Sequence, residues 1–310
     1  MSRPLVCIVG PTASGKTWLA EALAAAHSFQ LFSVDSMQVY RGMDIGTAKP
    51  ALPKRSRWSL LDLADPGEDF SAGRWVRLAR PAIEACWASG RIPLLAGGTG
   101  LYFKSLLEGL AEVPDIPPAI RRNLEEYLQS KGLPALAEEL RKVDPALAEK
   151  TDLANPRRVL RGLEVFRSTG KPLSWWQAEA MGEPLAAEPV LWMGLDPGQD
   201  ALVEAIAGRV EKMFKQGWTA EGEKLLKKPG RAEVLKTGAI GYEEVFALLD
   251  GKTGLRETQE AIATRTRQYA RRQRTWFKQV KAVKWLNPEA PQKEAEEKIV
   301  EHLKFSVDRR

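Results

Sequence analysis

The sequence contains few of the side chains that most often bind metals or assist a catalytic serine. Its 310 residues include two histidines, His27 and His302, and two cysteines, Cys7 and Cys86. This scarcity excludes a His-rich metal site and argues against a Ser-His-Asp hydrolase. The sequence also lacks an apolar run of membrane-spanning length and an apolar signal segment. We therefore expect a cytoplasmic protein without a membrane partner, whose catalysis depends on carboxylates, hydroxyls, lysines or arginines.

Acidic residues are missing from one long stretch of a chain that otherwise mixes both signs. The chain carries a formal net charge of +6, yet residues 261–284 contain eight basic residues and no acidic one. Arg267, Arg271, Arg274 and Lys278 recur at helical spacing and so line one face of a predicted helix. Because a merely soluble helix normally mixes signs, this face predicts an anionic partner. RNA phosphates and a diphosphate leaving group both fit.

A glycine-containing loop near the start of the chain has the pattern of a phosphate-binding site. Residues 10–17 match the pattern G-x-x-x-x-G-K-[ST] without exception, between a predicted strand at 4–9 and a predicted helix at 18–26. In this pattern backbone N–H groups wrap an anion, the lysine reaches the outer phosphates and the hydroxyl can bind Mg²⁺. The predicted phosphate-binding residues are Gly10, Pro11, Thr12, Ala13, Ser14, Gly15, Lys16 and Thr17.

Predicted strands and helices alternate along the first part of the chain. Further strands are predicted at 31–34 and 92–96, with a helix at 74–89 between them. This order predicts an α/β fold, a P-loop-type parallel sheet flanked by helices, with its active edge at the strand C-termini. Beyond Arg121 the periodicity is mostly helical, and the only further strand predicted covers 190–194.

Two proline-flanked stretches, at 113–118 and 183–189, divide the chain. Such stretches are typical of hinges between domains. We expect residues 1–114 together with 188–310 to form the P-loop catalytic core domain. Residues 115–187 should then form a helical insertion domain, which contains a second basic cluster of Arg157, Arg158, Arg161 and Arg167.

Asp35 ends the second predicted strand, at the same sheet edge as the phosphate loop. A carboxylate there can hold Mg²⁺ directly or through water, act as a general base, or cap a turn. The turn at residues 97–100 closes this edge, and its three glycines suit either close approach of a ligand or a tight turn. The preceding strand supplies no Walker B aspartate and no Asn-Lys-x-Asp motif occurs, so a signalling GTPase is not expected.

Six further short sequence blocks follow the phosphate loop along the chain. They are Asp35-Ser36, residues 40–50 with the stretch Asp-Ile-Gly-Thr-Ala-Lys-Pro, and residues 97–102, 155–165, 240–242 and 266–276. Together they span almost the whole chain and resemble the tRNA dimethylallyltransferase family, also called tRNA isopentenyltransferase. The resemblance implies transfer of a dimethylallyl group from dimethylallyl diphosphate to N6 of the adenosine at tRNA position 37, 3′ of the anticodon. Diphosphate is released, and Mg²⁺ is the implied cofactor.

The resemblance also implies roles for single residues. The phosphate loop and Arg267 would hold the diphosphate, and Thr17 would bind Mg²⁺, with water linking the ion to Asp35. Asp35 would take the proton from the amine, so Lys16, Thr17, Asp35 and Arg267 form the implied catalytic set. The insertion would clasp the anticodon stem-loop, and we expect a monomer. The implied tRNA contacts are Asp35, Ser36, Met37, Gln38, Thr99, Arg121, Arg157, Arg158 and Arg161.

Two positions depart from common family usage: Gly162 stands where the family usually has alanine, and Ala205 where an arginine is often found. Neither lies in the phosphate loop. A small-molecule or nucleotide kinase is the main alternative function, since it would share the loop and a lid-like insertion. It does not explain the acid-free basic helix. An RNA-binding module without chemistry explains the arginines but leaves the loop and Asp35 without a role.

Overall fold

The computed structural model describes residues 3–179 and 181–308, with side chains up to residue 302. Within these residues the chain forms a six-stranded sheet in the order β3-β2-β4-β1-β5-β6, and every pair of neighbouring strands is parallel. The predicted α/β class with a parallel sheet is therefore confirmed. The strands are β1 Leu5–Val9, β2 Phe29–Val34, β3 Trp58–Ser59, β4 Ile92–Gly97, β5 Val190–Gly194 and β6 Val283–Trp285.

Helices make up most of the remaining described chain, together with a 3-10 turn at Lys54–Arg57. None of these described helices is long and apolar enough to cross a membrane. The helices are α1 Lys16–Ala26, α2 Ala72–Ala88, α3 Gly100–Leu107, α4 Pro118–Val143, α5 Pro145–Lys150, α6 Pro156–Thr169, α7 Leu173–Glu179, α8 Gln199–Lys215, α9 Trp218–Lys227, α10 Arg231–Lys236, α11 Tyr242–Leu249, α12 Leu255–Lys278 and α13 Pro291–Asp308.

The sheet is buried on both faces, which explains why its strands are apolar without alternation. On one face α1 and α13 pack against the strands, with Leu19, Leu23 and Ile299 in the core. On the other face aromatic rings from helices fill the space. Phe103 of α3 lies 5.3 Å from Trp192 of β5 and 6.2 Å from Phe277 of α12, measured between ring centroids. The carboxyl ends of β1, β2 and β4 are thereby held side by side.

The sequence analysis expected no strand after residue 194, and this prediction was wrong. Residues 283–285 form β6, which pairs in parallel with β5 through Trp192↔Val283 and Gly194↔Trp285. A three-residue strand carries too short a pattern to be recognised by periodicity, and it exists because a long-range partner pairs with it. The two-residue β3 at the opposite edge escaped prediction for the same reason.

The chain divides into two compact units. One unit comprises Met1–Ser105 and Ala186–Arg310, and the other comprises Leu106–Leu185. The first contains the sheet and the second is helical. The sequence predicts boundaries at residues 114 and 188, within the two proline-flanked stretches. In the structure the division falls nearer to the elements themselves, at the end of α3 and shortly before β5.

The helical unit has its own small core, built by α4, α5 and α6. Leu124, Leu140 and Leu163 are fully buried in it. Helix α4 is interrupted at Gly132, whose φ of 78° lies in the left-handed region that favours glycine. Gly162 on α6 allows close packing as well, because a Cβ there would lie 2.7 Å from a methyl carbon of Leu140. This contact explains why the departure from alanine at Gly162 suits this particular core.

Candidate active site

The phosphate loop has the backbone conformation that its glycines permit. Gly10 has a φ of 144°, and a Cβ there would lie 2.3 Å from the carbonyl oxygen of Leu195. Ala13 also adopts a positive φ, of 64°. Gly15 caps α1 in the left-handed region and has no side chain to cover the N–H groups at the helix start. The loop therefore presents backbone donors and a helix N-terminus at the carboxyl end of β1.

Lys16 is half-buried, and its ammonium group donates to the carbonyl oxygen of Pro11 in its own loop. The pKa of Lys16 is lowered to about 7: burial is the largest cause, the nearby guanidinium of Arg209 acts in the same direction, and Asp35 opposes the shift. A desolvated cation facing another cation is poised to gain stability from a bound anion. This is the electrostatic condition that a phosphate ligand would relieve.

Asp35 follows β2 and organises the backbone after it. One of its carboxylate oxygens, Oδ1, accepts hydrogen bonds from the N–H groups of Met37 at 2.8 Å and Gln38 at 3.3 Å. This is the turn-capping role that the sequence had left open. The same residue also lines the cavity beside the phosphate loop. Turn geometry therefore orients the carboxylate toward the cavity.

The glycine-rich turn after β4 is held by protein contacts. A Cβ on Gly97 would lie 2.0 Å from the carbonyl oxygen of Val34, and one on Gly100 would lie 2.3 Å from the Trp276 ring. Thr99 accepts a hydrogen bond from the N–H of Ser36 at 3.0 Å. These contacts show a tight turn. Its consequence is that the segments after β2 and β4 form one rigid edge. Gly97 and Gly98 also line the cavity, so close approach of a ligand there stays a prediction.

A cavity of about 70 Å³ lies where these segments meet. It combines the phosphate loop, the residue after β2, the turn after β4 and one face of α12. Among the predicted site residues it brings together Thr12, Lys16, Thr17, Asp35 and Gln38. The complete lining is Thr12, Lys16, Thr17, Asp35, Gln38, Ala48, Pro50, Trp58, Ala96, Gly97, Gly98, Arg209, Tyr269 and Gln273.

Arg267 does not line this cavity. It borders a larger groove of about 680 Å³ between α8 and α12, and its guanidinium donates to the Thr264 hydroxyl at 2.7 Å. The physical reason is helical geometry, since Arg267 and Tyr269 are two positions apart on α12 and their side chains therefore point to different faces. Arg267 also lies in a cleft with Gly208 and Val210, the neighbours of Arg209.

Arg209 is the cationic side chain from α8 that reaches the cavity, and the sequence analysis did not select it. Burial lowers the pKa of its guanidinium and Asp35 opposes this shift. The cavity therefore holds two cations, Lys16 and Arg209, against one carboxylate. No local signal distinguishes Arg209 from the other charged residues of an amphipathic helix. Only the packing of α8 directs it toward the phosphate loop.

Tyr269, Gln273 and Glu221 are further residues that the sequence analysis did not assign to the site. Burial raises the pKa of the Tyr269 hydroxyl, and Asp35 raises it further. Gln273 is buried between two loops of the site. Glu221 of α9 accepts hydrogen bonds from the backbone N–H groups of Asp44 and Ile45 at 2.8 and 2.7 Å. It thereby fixes the loop that carries Ala48 and Pro50 to the cavity.

The helical unit carries the other predicted arginines. Arg157 and Arg158 are exposed on the first turn of α6. Arg121 of α4 and Arg161 of α6 both contact Glu164, at 3.0 and 3.6 Å, and Glu164 is buried. In this arginine cluster two guanidinium groups, those of Arg121 and Arg161, share the carboxylate of Glu164. The cluster presents a surface of net positive charge, built on the buried core of this unit.

The cavity contains oxygen donors of the kind that a divalent cation requires. Thr17 and Asp35 offer hydroxyl and carboxylate oxygens, the hard ligands that Mg²⁺ prefers. Among the described residues no group of three or more His, Cys, Asp or Glu is arranged to hold a metal ion. These residues therefore fit an ion that takes most of its ligands from phosphate oxygens and water, as Mg²⁺ commonly does.

A parallel sheet with a phosphate loop at the end of its central strand β1 defines the class of this protein. It is an α/β protein of the phosphate-binding-loop type. Residues 38–280 match the family described as IPP transferase, and residues 4–57 match the family described as isopentenyl transferase. The chain belongs to the IPP transferase family.

Similar sequences and structures agree with this assignment. A tRNA dimethylallyltransferase of Geobacter sulfurreducens is 44% identical over 286 residues, which are 91% of each chain. One of Acetivibrio thermocellus is 36% identical over 304 residues, 97% of this chain and 96% of the relative. The full-length tRNA isopentenylpyrophosphate transferase of Bacillus halodurans has a TM-score of 0.69 at 34% identity and 99% coverage of both chains.

A eukaryotic dimethylallyltransferase acting on tRNA has a TM-score of 0.76 at 27% identity, covering 93% of this chain and 74% of that one. The predicted family and the prediction of a prenyltransferase enzyme are therefore confirmed. The kinase alternative is not favoured, because these relatives match nearly the whole chain and share one named activity. The roles of the individual site residues remain predictions.

Proposed function

We propose that this protein transfers a dimethylallyl group from dimethylallyl diphosphate to N6 of the adenosine immediately 3′ of a tRNA anticodon. The observation that carries the proposal is one cavity in which the phosphate loop, two cations and a carboxylate converge. The loop and the cations suit a diphosphate, and the carboxylate suits removal of a proton. The named activity of the relatives supplies the identity of both substrates.

The diphosphate would be bound by Lys16, by Arg209 and by backbone N–H groups of residues 10–17. Pro11 has no N–H, and the N–H of Thr12 is donated to Gln273, so the other loop residues would supply these donors. As the bond from C1 of the dimethylallyl group to oxygen breaks, its electron pair stays on the diphosphate. The two cations stabilise the negative charge that develops there. Arg267 remains a predicted second contact, from the cleft that it shares with the neighbours of Arg209.

The acceptor amine would attack C1 while Asp35 removes its proton. Asp35 suits this role because its Oδ1 is engaged by the turn, which orients the second oxygen, Oδ2, for the proton. The amine nitrogen gains the bond to C1 and loses one proton, so the modified adenosine is neutral. The base must leave its stack to reach a cavity of this kind, as other base-modifying enzymes require.

We assign Thr17 and Asp35 as the residues that would hold Mg²⁺, Thr17 directly and Asp35 through water. Bound there, the ion would supply positive charge to the departing diphosphate. The tRNA would be contacted by Ser36, Met37, Gln38 and Thr99 around Asp35. The helical insertion, drawn from the sequence at residues 115–187, would clasp the anticodon stem-loop through Arg121, Arg157, Arg158 and Arg161.

The test is a prenylation reaction with the full chain, Mg²⁺, labelled dimethylallyl diphosphate and an unmodified anticodon stem-loop. Digestion and mass analysis should find N6-dimethylallyl adenosine at the position 3′ of the anticodon. The matched control is a stem-loop with guanosine at that position, which lacks the exocyclic N6 amine and should receive no label.

Label on the guanosine stem-loop would contradict the assignment of the acceptor atom. Absence of product, together with phosphate transfer from ATP to a small acceptor, would overturn the proposal in favour of a kinase.

A further inference from the structure

Gln273 joins two loops of the active site that are far apart in sequence. Its carboxamide oxygen Oε1 accepts a hydrogen bond from the N–H of Thr12 at 2.8 Å, and its Nε2 donates to the carbonyl oxygen of Gly98 at 2.9 Å. The side chain is only 6% exposed. Both ends of one amide are therefore used, and both partners are backbone groups.

The two partners belong to opposite sides of the proposed reaction. Thr12 is part of the loop that would hold the diphosphate. Gly98 precedes Thr99, whose hydroxyl accepts from the N–H of Ser36, the residue after Asp35. Hydrogen bonds and the peptide link from Gly98 to Thr99 thus connect the phosphate loop, through Gln273, to the segment of the proposed base.

The contact leaves no spare room around the amide. A Cβ on Gly98 would lie 2.0 Å from Nε2 of Gln273, closer than any real contact allows. The opposite polarity of the two partners also demands an amide, because a carboxylate has no donor for Gly98 and an apolar side chain has neither group. Shape and hydrogen bonding both specify glutamine at this position.

We propose that Gln273 is a positioning residue that sets the distance between the diphosphate-binding loop and the acceptor side of the cavity. The inference rests on the proposed function and adds a residue to it. In a bimolecular transfer the rate depends steeply on this distance, and a misplacement of about 1 Å can cost about 100-fold. Gln273 acts through the two loops and does not need to touch the reacting atoms.

The first test is Gln273→Met, which keeps the length of the side chain and removes both hydrogen bonds. We expect kcat for prenylation to fall about 10- to 100-fold. The KM for dimethylallyl diphosphate should change less than kcat, and the Kd for the stem-loop should stay within about twofold. The matched control is Gln279→Met, at the exposed end of the same helix, which should behave as the unmodified protein.

The second test uses the tight contact at Gly98. Gly98→Ala alone should lower kcat because its Cβ displaces the Gln273 amide. In the double variant with Gln273→Ala the obstructing amide is gone, so kcat should equal that of Gln273→Ala alone. Such non-additivity is the mark of residues that act through one contact.

A kcat of Gln273→Met within about twofold of the unmodified protein would overturn the inference. Additive effects on kcat in the double variant would also overturn it. So would a fall in stem-loop affinity and melting temperature that accompanies the fall in kcat, because the residue would then be merely structural. If the unmodified protein itself makes no prenylated adenosine, the proposed function fails, and this result is distinct from a failure of the inference.

Discussion

The cavity beside the phosphate loop and the arginine surface of the helical unit carry positive charge in different ways. In the cavity two cations, Lys16 and Arg209, are desolvated, and the pKa of each is lowered by burial. On α6 the guanidinium groups of Arg157 and Arg158 are exposed to solvent. A desolvated charge interacts strongly and at fixed geometry, whereas an exposed charge is screened by salt.

We expect this difference in burial to separate charges that affect the chemical step from charges that attract RNA. Charges in the cavity should affect the rate of transfer and the affinity for the diphosphate, with little dependence on ionic strength. Charges on α6 should affect the affinity for RNA and its salt dependence, with little effect on the rate once RNA is bound. Substitutions in the cavity and on α6 can test that separation.

Asp35→Asn should lower kcat about 10²- to 10⁴-fold, because the amide cannot accept the proton from the amine. The variant keeps an oxygen for the N–H of Met37, so the turn should persist. Single-turnover prenylation gives the rate, and filter binding gives the Kd for the stem-loop, which should be unchanged. Asp200→Asn, at the exposed start of α8, is the matched control. A loss of RNA affinity as large as the loss in rate would make Asp35 a recognition residue.

Arg209→Gln should raise the KM for dimethylallyl diphosphate about 10- to 100-fold, since it removes a charged hydrogen-bond donor from the cavity. Arg267→Gln is the matched comparison from the neighbouring face. We expect Arg267→Gln to raise the KM for dimethylallyl diphosphate by less than Arg209→Gln does. It should still raise this KM by a larger factor than it raises the Kd for the stem-loop. Steady-state kinetics at saturating stem-loop measures both variants. The opposite ranking would make Arg267 the principal diphosphate ligand.

The affinity for dimethylallyl diphosphate should fall as the pH rises above about 7, the pKa of Lys16 in the unliganded protein. Below that pH Lys16 is already charged. Above it, binding must take up a proton, so the Kd should rise by up to about tenfold per pH unit. Calorimetry in two buffers of different ionisation enthalpy measures this uptake. Lys16→Arg should abolish the pH dependence, and a Kd of the unmodified protein that is constant from pH 7 to 9 would contradict the assignment.

Arg157→Gln combined with Arg158→Gln should weaken binding of the stem-loop and leave kcat unchanged. Each lost phosphate contact should reduce the slope of log K against log salt by about 0.7 to 0.9. Arg161 is left in place because it contacts the buried Glu164. Arg141→Gln, an exposed residue paired with Glu138 on α4, is the control. An unchanged salt slope in the double variant would show that α6 does not contact the RNA.

The features of this protein that depend on contiguous residues could be predicted from the sequence alone. The phosphate loop, the class of fold and the family follow from residues 10–17 and from the ordered blocks along the chain. The predicted strands at 31–34, 92–96 and 190–194 correspond to β2, β4 and β5. These features are local because glycine conformation, strand burial and helix periodicity depend on near neighbours.

Which side chains meet at the loop depends on how distant helices pack in the folded protein. The packing of α8 against α12 fixes the rotation of each helix about its axis. It thereby brings Arg209, Tyr269 and Gln273 to the cavity. Arg267 carries the same charge as Arg209 but faces the adjoining groove. All of these residues lie in similar helical sequence patterns, so the patterns alone do not distinguish them. The contact between Gln273 and Thr12, 261 positions apart in the chain, exists only once the sheet and its helices have formed.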